Sequence, residues 1–190
     1  MVNVMLGTFA ADGHELTDDE IIDTYLRTAE AGDTVDVALS FELHVDCWSE
    51  KYKRVVPIVE AVKARNIPFH LTIDYSHVIF KIDNPAEQDI SGIREDVEAG
   101  RLVLDPAAGN DVCSQWIDAG WIRHCHARTA IPNNPKNTAA HDDDGNPGRG
   151  IQYPFKAPLP DEYHAPWEVA ALEPWKQVMR NLLHHHANDP

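Results

Sequence analysis

The chain has 190 residues, 43% of them apolar, enough to bury the core of one domain. Its formal charge of −15 argues against a nucleic-acid or anionic-membrane partner, since either would want a basic face. Three cysteines (Cys47, Cys113, Cys125), odd in number and without a CxxC pair, fit a reducing compartment. No apolar stretch approaches the ~20 residues of a membrane span, the N-terminus lacks a signal-peptide layout, and the expected setting is the cytoplasm.

In chain order, Val2 to Leu6 is a short apolar run that suits a buried strand. Thr17 and Glu20 then form a capping box, and Ile21, Ile22, Tyr25, Leu26 and Ala29 follow at helical spacing until Gly32. Val35 to Leu43 is the next predicted strand. Tyr52, Val55, Val56, Val59 and Val62 recur at three and four residues, a helix ending near Arg65 that Pro57 either starts or kinks. Pro68 to Asp74 is the third strand, Ile90 to Ala99 a weaker helix ended by Gly100, Leu102 to Leu104 a short extra strand, and Trp121 to His126 the fourth main strand. Residues 129–165 are rich in proline and glycine and read as one long loop. Pro174 opens a last helix with Trp175, Val178, Met179, Leu182 and Leu183 on one face.

Alternating strands and helices imply parallel strands with right-handed crossovers. A complete eight-stranded barrel usually takes about 250 residues. The expectation is therefore a single α/β domain over residues 1–190, a partial TIM-barrel-like sheet of about four to five β/α units, or a small open sheet. A half-barrel leaves two strand edges unpaired, which calls for a homo-oligomer or a partner chain to complete it.

Three polar clusters sit at the ends of apolar runs: Glu42-Leu43-His44, Asp74-Tyr75-Ser76-His77 and His124-Cys125-His126-Ala127-Arg128. C-terminal strand ends of parallel sheets converge on one face, where two carboxylates and an imidazole make a divalent-metal site. Each residue also has a plainer reading. Glu42 is either a ligand and proton acceptor or a salt-bridged rim carboxylate. Asp74 is either a ligand or a turn cap, since Asp-x-Ser is common turn chemistry. His124 and His126 share a face at period two, suited either to a metal with Arg128 on a hydroxyl-rich substrate, or simply to a polar barrel interior. Cys125 points the other way, into the core. His184-His185-His186 reads as a solvated helix end, and Asp142 to Asp144 as a solvated loop.

Glu-x-His at one strand end, Asp-x-Ser-His 32 residues later and then His-x-His-x-Arg resemble the sugar phosphate isomerase/epimerase family with xylose-isomerase-like barrels. Gly150-Ile151-Gln152-Tyr153-Pro154 resembles a Gly-x-Gln-x-Pro element that follows the last motif in some members, and the resemblance covers roughly residues 35–183. It implies a TIM barrel and a divalent cofactor (manganese, magnesium, cobalt or zinc) held by a Glu, an Asp, a His and a second Glu. Carried over by position, Glu42, Asp74 and His126 are the metal ligands, with Glu42 also the catalytic acid/base. His77 is the catalytic histidine that contacts substrate oxygens. His44, His124, Arg128 and Gln152 are candidate substrate contacts. The implied reaction is proton transfer next to a carbonyl in a sugar or sugar phosphate. The pattern departs from the family in three ways: the first three strands have no counterpart before Met1, the last strand with its Glu has none after Leu183, and Val45 stands where some relatives carry Arg. Glu168 is a candidate substitute carboxylate. Two alternatives stand beside an isomerase: a non-catalytic partner subunit working by association, and a metal-dependent hydrolase or lyase of the same fold.

Overall fold

The computed structural model describes residues 1–133, 137–141, 143–150, 152–163 and 166–188. Its centre is a four-stranded, all-parallel sheet in the order β1 (Val2–Val4), β2 (Leu39–Leu43), β3 (Leu71–Asp74) and β4 (Ile122–His126). Seven α-helices are seen among the described residues: α1 (Asp18–Asp33), α2 (Tyr52–Lys63), α3 (Ser76–Ile79), α4 (Pro85–Ile90), α5 (Arg94–Glu98), α6 (Val112–Asp118) and α7 (Glu173–Asn188). None of them is long and apolar enough to cross a membrane.

The strands alternate, and alternation sorts their side chains. Leu39, Phe41 and Leu43 of β2 and Leu71 and Ile73 of β3 join one core with Ile21, Ile22 and Tyr25 of α1 and Val55, Ile58, Val59 and Val62 of α2. Tyr25 packs on Phe41 edge-on and stacks on Phe69. The intervening positions, Asn3, Ser40, Glu42, Thr72, Asp74, His124 and His126, fall on the opposite face, where Thr72 Oγ1 donates to Ser40 Oγ at 2.8 Å. A parallel sheet covered by plain core on both sides carries near-continuous apolar strands; here one face is polar.

Several predicted boundaries move. Thr17 and Glu20 form the expected capping box. β2 begins at Leu39, not Val35, because Asp36 takes a left-handed φ of 55° and Val35 is 67% exposed in the turn before it. β1 ends at Val4 and β3 begins at Leu71, each shorter than its apolar run. α2 starts at Tyr52 and runs through Pro57. The helix expected over 90–99 is the shorter α5, which starts only at Arg94 because Gly92 (φ 65°) turns the chain; α4, before that turn, was not foreseen. Leu102–Leu104 is not a strand; α6, capped by Asp111 through Cys113 and Ser114 N–H groups, was not foreseen. The 129–165 segment is not structureless: it holds an antiparallel pair, β5 (Asn137–His141) and β6 (Pro147–Gly148). α7 buries Trp175, Val178 and Leu182, whereas Leu183 is exposed rather than on that stripe. Cys125 Sγ contacts Met179 Sδ at 3.9 Å, on the helix side as expected. His184 is exposed, and so are Asp143 and Asp144; Asp142 and Ile151 lie outside the described residues.

Candidate metal centre and its surroundings

Parallel pairing sets the site. β3 pairs with β2 so that Glu42 lies opposite Thr72, and with β4 so that Asp74 lies opposite His126. One ligand atom each of Glu42, Asp74 and His126 then falls within 4.8 Å of the others. His126 Nδ1 is 2.9 Å from Glu42 Oε1, and Asn3 Nδ2 donates to Glu42 Oε2 at 2.5 Å. Asn3 was missed from the sequence, although an amide in the middle of a short apolar strand is a signal for it.

Asp74 is fully buried. Its Oδ1 accepts from Ser76 N–H at 3.0 Å and Ser76 Oγ at 2.6 Å, so the Asp-x-Ser turn read from the sequence is present. That turn uses only one oxygen. Oδ2 is buried without a hydrogen bond, and Arg128 Nε at 3.4 Å and His77 Nε2 at 3.5 Å approach it as charges or dipoles only. Burial pushes the Asp74 carboxyl up from its ordinary pKa, against the hydrogen bond from Ser76 and the charge of Arg128. The capping reading therefore explains Oδ1 and leaves Oδ2 unexplained.

His77, on α3, is buried, and its Nε2 also lacks a partner. Burial first, and then the neighbouring His44 and Arg128, depress its pKa to about 2, so its imidazole is neutral at ordinary pH. The His44 ring lies 4.0 Å from it, with His44 Nδ1 2.7 Å from the Val45 carbonyl oxygen. His124 is exposed on β4, its ring 5.2 Å from that of His126. Beside the triad is a cavity of about 50 Å³ lined by Ser76, His77, Phe80, Arg128, Arg149 and Gln152, among others. Thus Arg128, Gln152 and His77 line one cavity. Glu168 is exposed and is not a member of the triad; its N–H donates to Tyr153 Oη at 2.6 Å.

Two carboxylates and one imidazole form a donor set suited to a divalent first-row metal or magnesium. The residues fit such an ion: buried Asp74 Oδ2 accepts no hydrogen bond, and the Glu42–His126 contact holds two donors together. Comparison of the chain with protein-family models, with curated proteins and with solved structures returns no match.

Proposed function

We propose that this chain is a metal-dependent isomerase or epimerase of sugars or sugar phosphates, built on part of a xylose-isomerase-like barrel. The observation that carries the reading is the convergence of Glu42, Asp74 and His126 from three adjacent parallel strands within 4.8 Å, with one buried Asp74 oxygen left without a hydrogen bond. These three residues would hold a divalent cation (manganese, magnesium, cobalt or zinc). When bound, such a cation polarises a substrate carbonyl and its neighbouring hydroxyl, acidifying the C–H between them.

The chain's own residues supply the rest. Glu42, held in place by Asn3 and His126, takes the proton from the carbon next to the carbonyl and returns it to the former carbonyl carbon, which moves the carbonyl by one position. His77, neutral and buried, contacts a substrate oxygen without adding charge. Arg128 and Gln152, on the cavity beside it, bind further oxygens, and His44 beside His77 and His124 beside His126 offer further contacts. Free Cys47, Cys113 and Cys125 accord with a reducing, cytoplasmic setting.

A second reading, action through association, is favoured by one observation: among the described residues, β1 and β4 each pair on one side only. A second copy or a partner chain completing the barrel would cover both edges. The test of the first reading is elemental analysis of purified protein beside an Asp74→Ala, His126→Ala double variant. About one metal per chain, lost in the variant, supports it. Loss should be accompanied by loss of deuterium uptake at the carbon next to the carbonyl across an aldose and ketose panel in D₂O. A metal-free protein in both preparations overturns it.

A further inference from the structure

Behind Arg149, which lines the cavity, lie charged residues that the proposed chemistry does not use. Glu50, in a short turn after β2, Glu87 on α4 and Lys81 just past α3 are each no more than 9% exposed. Lys81 Nζ donates to Glu50 Oε1 at 2.7 Å and lies 3.7 Å from Glu87 Oε2. One ammonium facing two buried carboxylates leaves a negative charge uncompensated, and such a charge is costly.

Arg149 supplies the missing positive charge from beyond the β5–β6 hairpin. Its Nη2 donates to Glu50 Oε1 at 2.5 Å and also to Glu87 Oε2; its Nε reaches Glu87 at 3.1 and 3.2 Å, and its Nη1 reaches Asp46 and Glu50 at 3.2 Å. A guanidinium fork can bridge several carboxylates at once, which an ammonium cannot. Gly150 follows with a left-handed φ of 50°, turning the chain, and Gln152 comes next into the cavity lining. Tyr153, fully buried, closes the segment: its N–H donates to the Thr129 carbonyl at 3.1 Å, and Thr129 Oγ1 donates back to its carbonyl at 2.5 Å. The stretch is thus tied at both ends, with Gln152 between the ties.

We propose that Arg149 is a positioning residue: by neutralising the Glu50–Glu87 pair it latches the segment bearing Gly150 and Gln152 over His77. The latch fixes the wall that a ligand's polar groups meet. Only the identity of that ligand rests on the functional reading above; the latch depends on neither metal nor sugar.

The test uses the full chain as wild type, Arg149→Met and Arg149→Lys. Two rates are read: amide hydrogen exchange at Tyr153, whose N–H is bonded to Thr129, with α2 as internal reference, and diethyl pyrocarbonate modification of His77, with exposed His184 as reference. Arg149→Met should raise both by about tenfold or more, the equivalent of one lost charged hydrogen bond, with α2 and His184 unchanged. Arg149→Lys, which keeps the charge without the fork, should recover part of the protection. Should Arg149→Met not fold, Glu87→Gln, which weakens one arm of the bridge, should move both rates the same way by a smaller factor. Unchanged rates at Tyr153 or His77, or α2 exchange rising in step with them, would overturn the latch. A wild type without metal removes the functional reading, yet both rates still decide this one.

Discussion

A catalytic carboxylate and a structural one respond oppositely to removal of their charge, and Asp74→Asn separates them. In the wild type, Oδ2 is buried without a hydrogen bond, and burial raises the carboxyl's pKa. An unsatisfied buried polar atom costs ~1–3 kcal/mol, more when charged. The amide keeps an acceptor for Ser76 N–H and Oγ, and it places an N–H near His77 Nε2, itself unpartnered and 3.5 Å from Oδ2. Against this stands the lost charge on the Ser76 bonds and on a half-exposed Arg128, worth ~1 kcal/mol or less. The metal-free variant should gain ~1 kcal/mol. A chain of 190 residues unfolds with an entropy near ~0.4 kcal/mol per degree, so its Tm should rise by ~2–3 °C. The same substitution removes one of three ligands, and manganese affinity should fall by more than the ~10–100-fold typical of losing a residue behind a ligand. Differential scanning calorimetry in chelator and a manganese titration read the two numbers. A Tm that falls by several degrees, with metal affinity unchanged, would refute the reasoning and leave Asp74 as a turn cap.

Other perturbations probe the same chemistry and the charged cluster beside it. Manganese at about 100 times its Kd should stabilise the wild type by ~2.7 kcal/mol, and hence raise its Tm by several degrees, while leaving the Glu42→Ala variant unmoved; equal shifts in both would place the ion elsewhere. Lys81→Met removes a fully buried ammonium from between two carboxylates and should cost ~3–5 kcal/mol, or about 10 °C of Tm; a shift under 2 °C would show that Arg149 alone satisfies the pair. For Glu50, burial acts to raise the carboxyl's pKa, yet the Arg149 hydrogen bond and the Lys81 charge outweigh it and hold the carboxyl at about 2. A depressed folded pKa contributes stability above the ordinary value of 4.5, lost as pH falls toward 2. Thermal melts between those limits should therefore drop more steeply for the wild type than for Glu50→Gln, and parallel curves would count against the cluster.

Much of the site was legible because strands keep a period of two and end where polar residues begin. Glu42, Asp74 and His126 announced themselves as polar residues closing apolar runs, and the Thr17–Glu20 box as a local hydrogen-bonding pattern. Short elements were harder. α6 has seven residues, too few for a helical stripe to repeat, and the break at Gly92 lies inside a stretch whose composition suits one helix. Val35 is apolar but belongs to a turn, since tertiary register rather than hydrophobicity decided where β2 begins. The charged cluster left no local trace, because Glu50 lies 31 residues before Lys81 and 99 before Arg149 along the chain.

The sequence by itself determined which side chains share a face, where the first helix is capped, and that two carboxylates and an imidazole would stand at strand ends; each follows from spacing over a few residues. Only the tertiary structure decided that those ends meet within 4.8 Å, that one oxygen of Asp74 is left over, and that Arg149 closes on Glu50 and Glu87. Those depend on the register of parallel strands and on the path of a long connection, which no local pattern encodes.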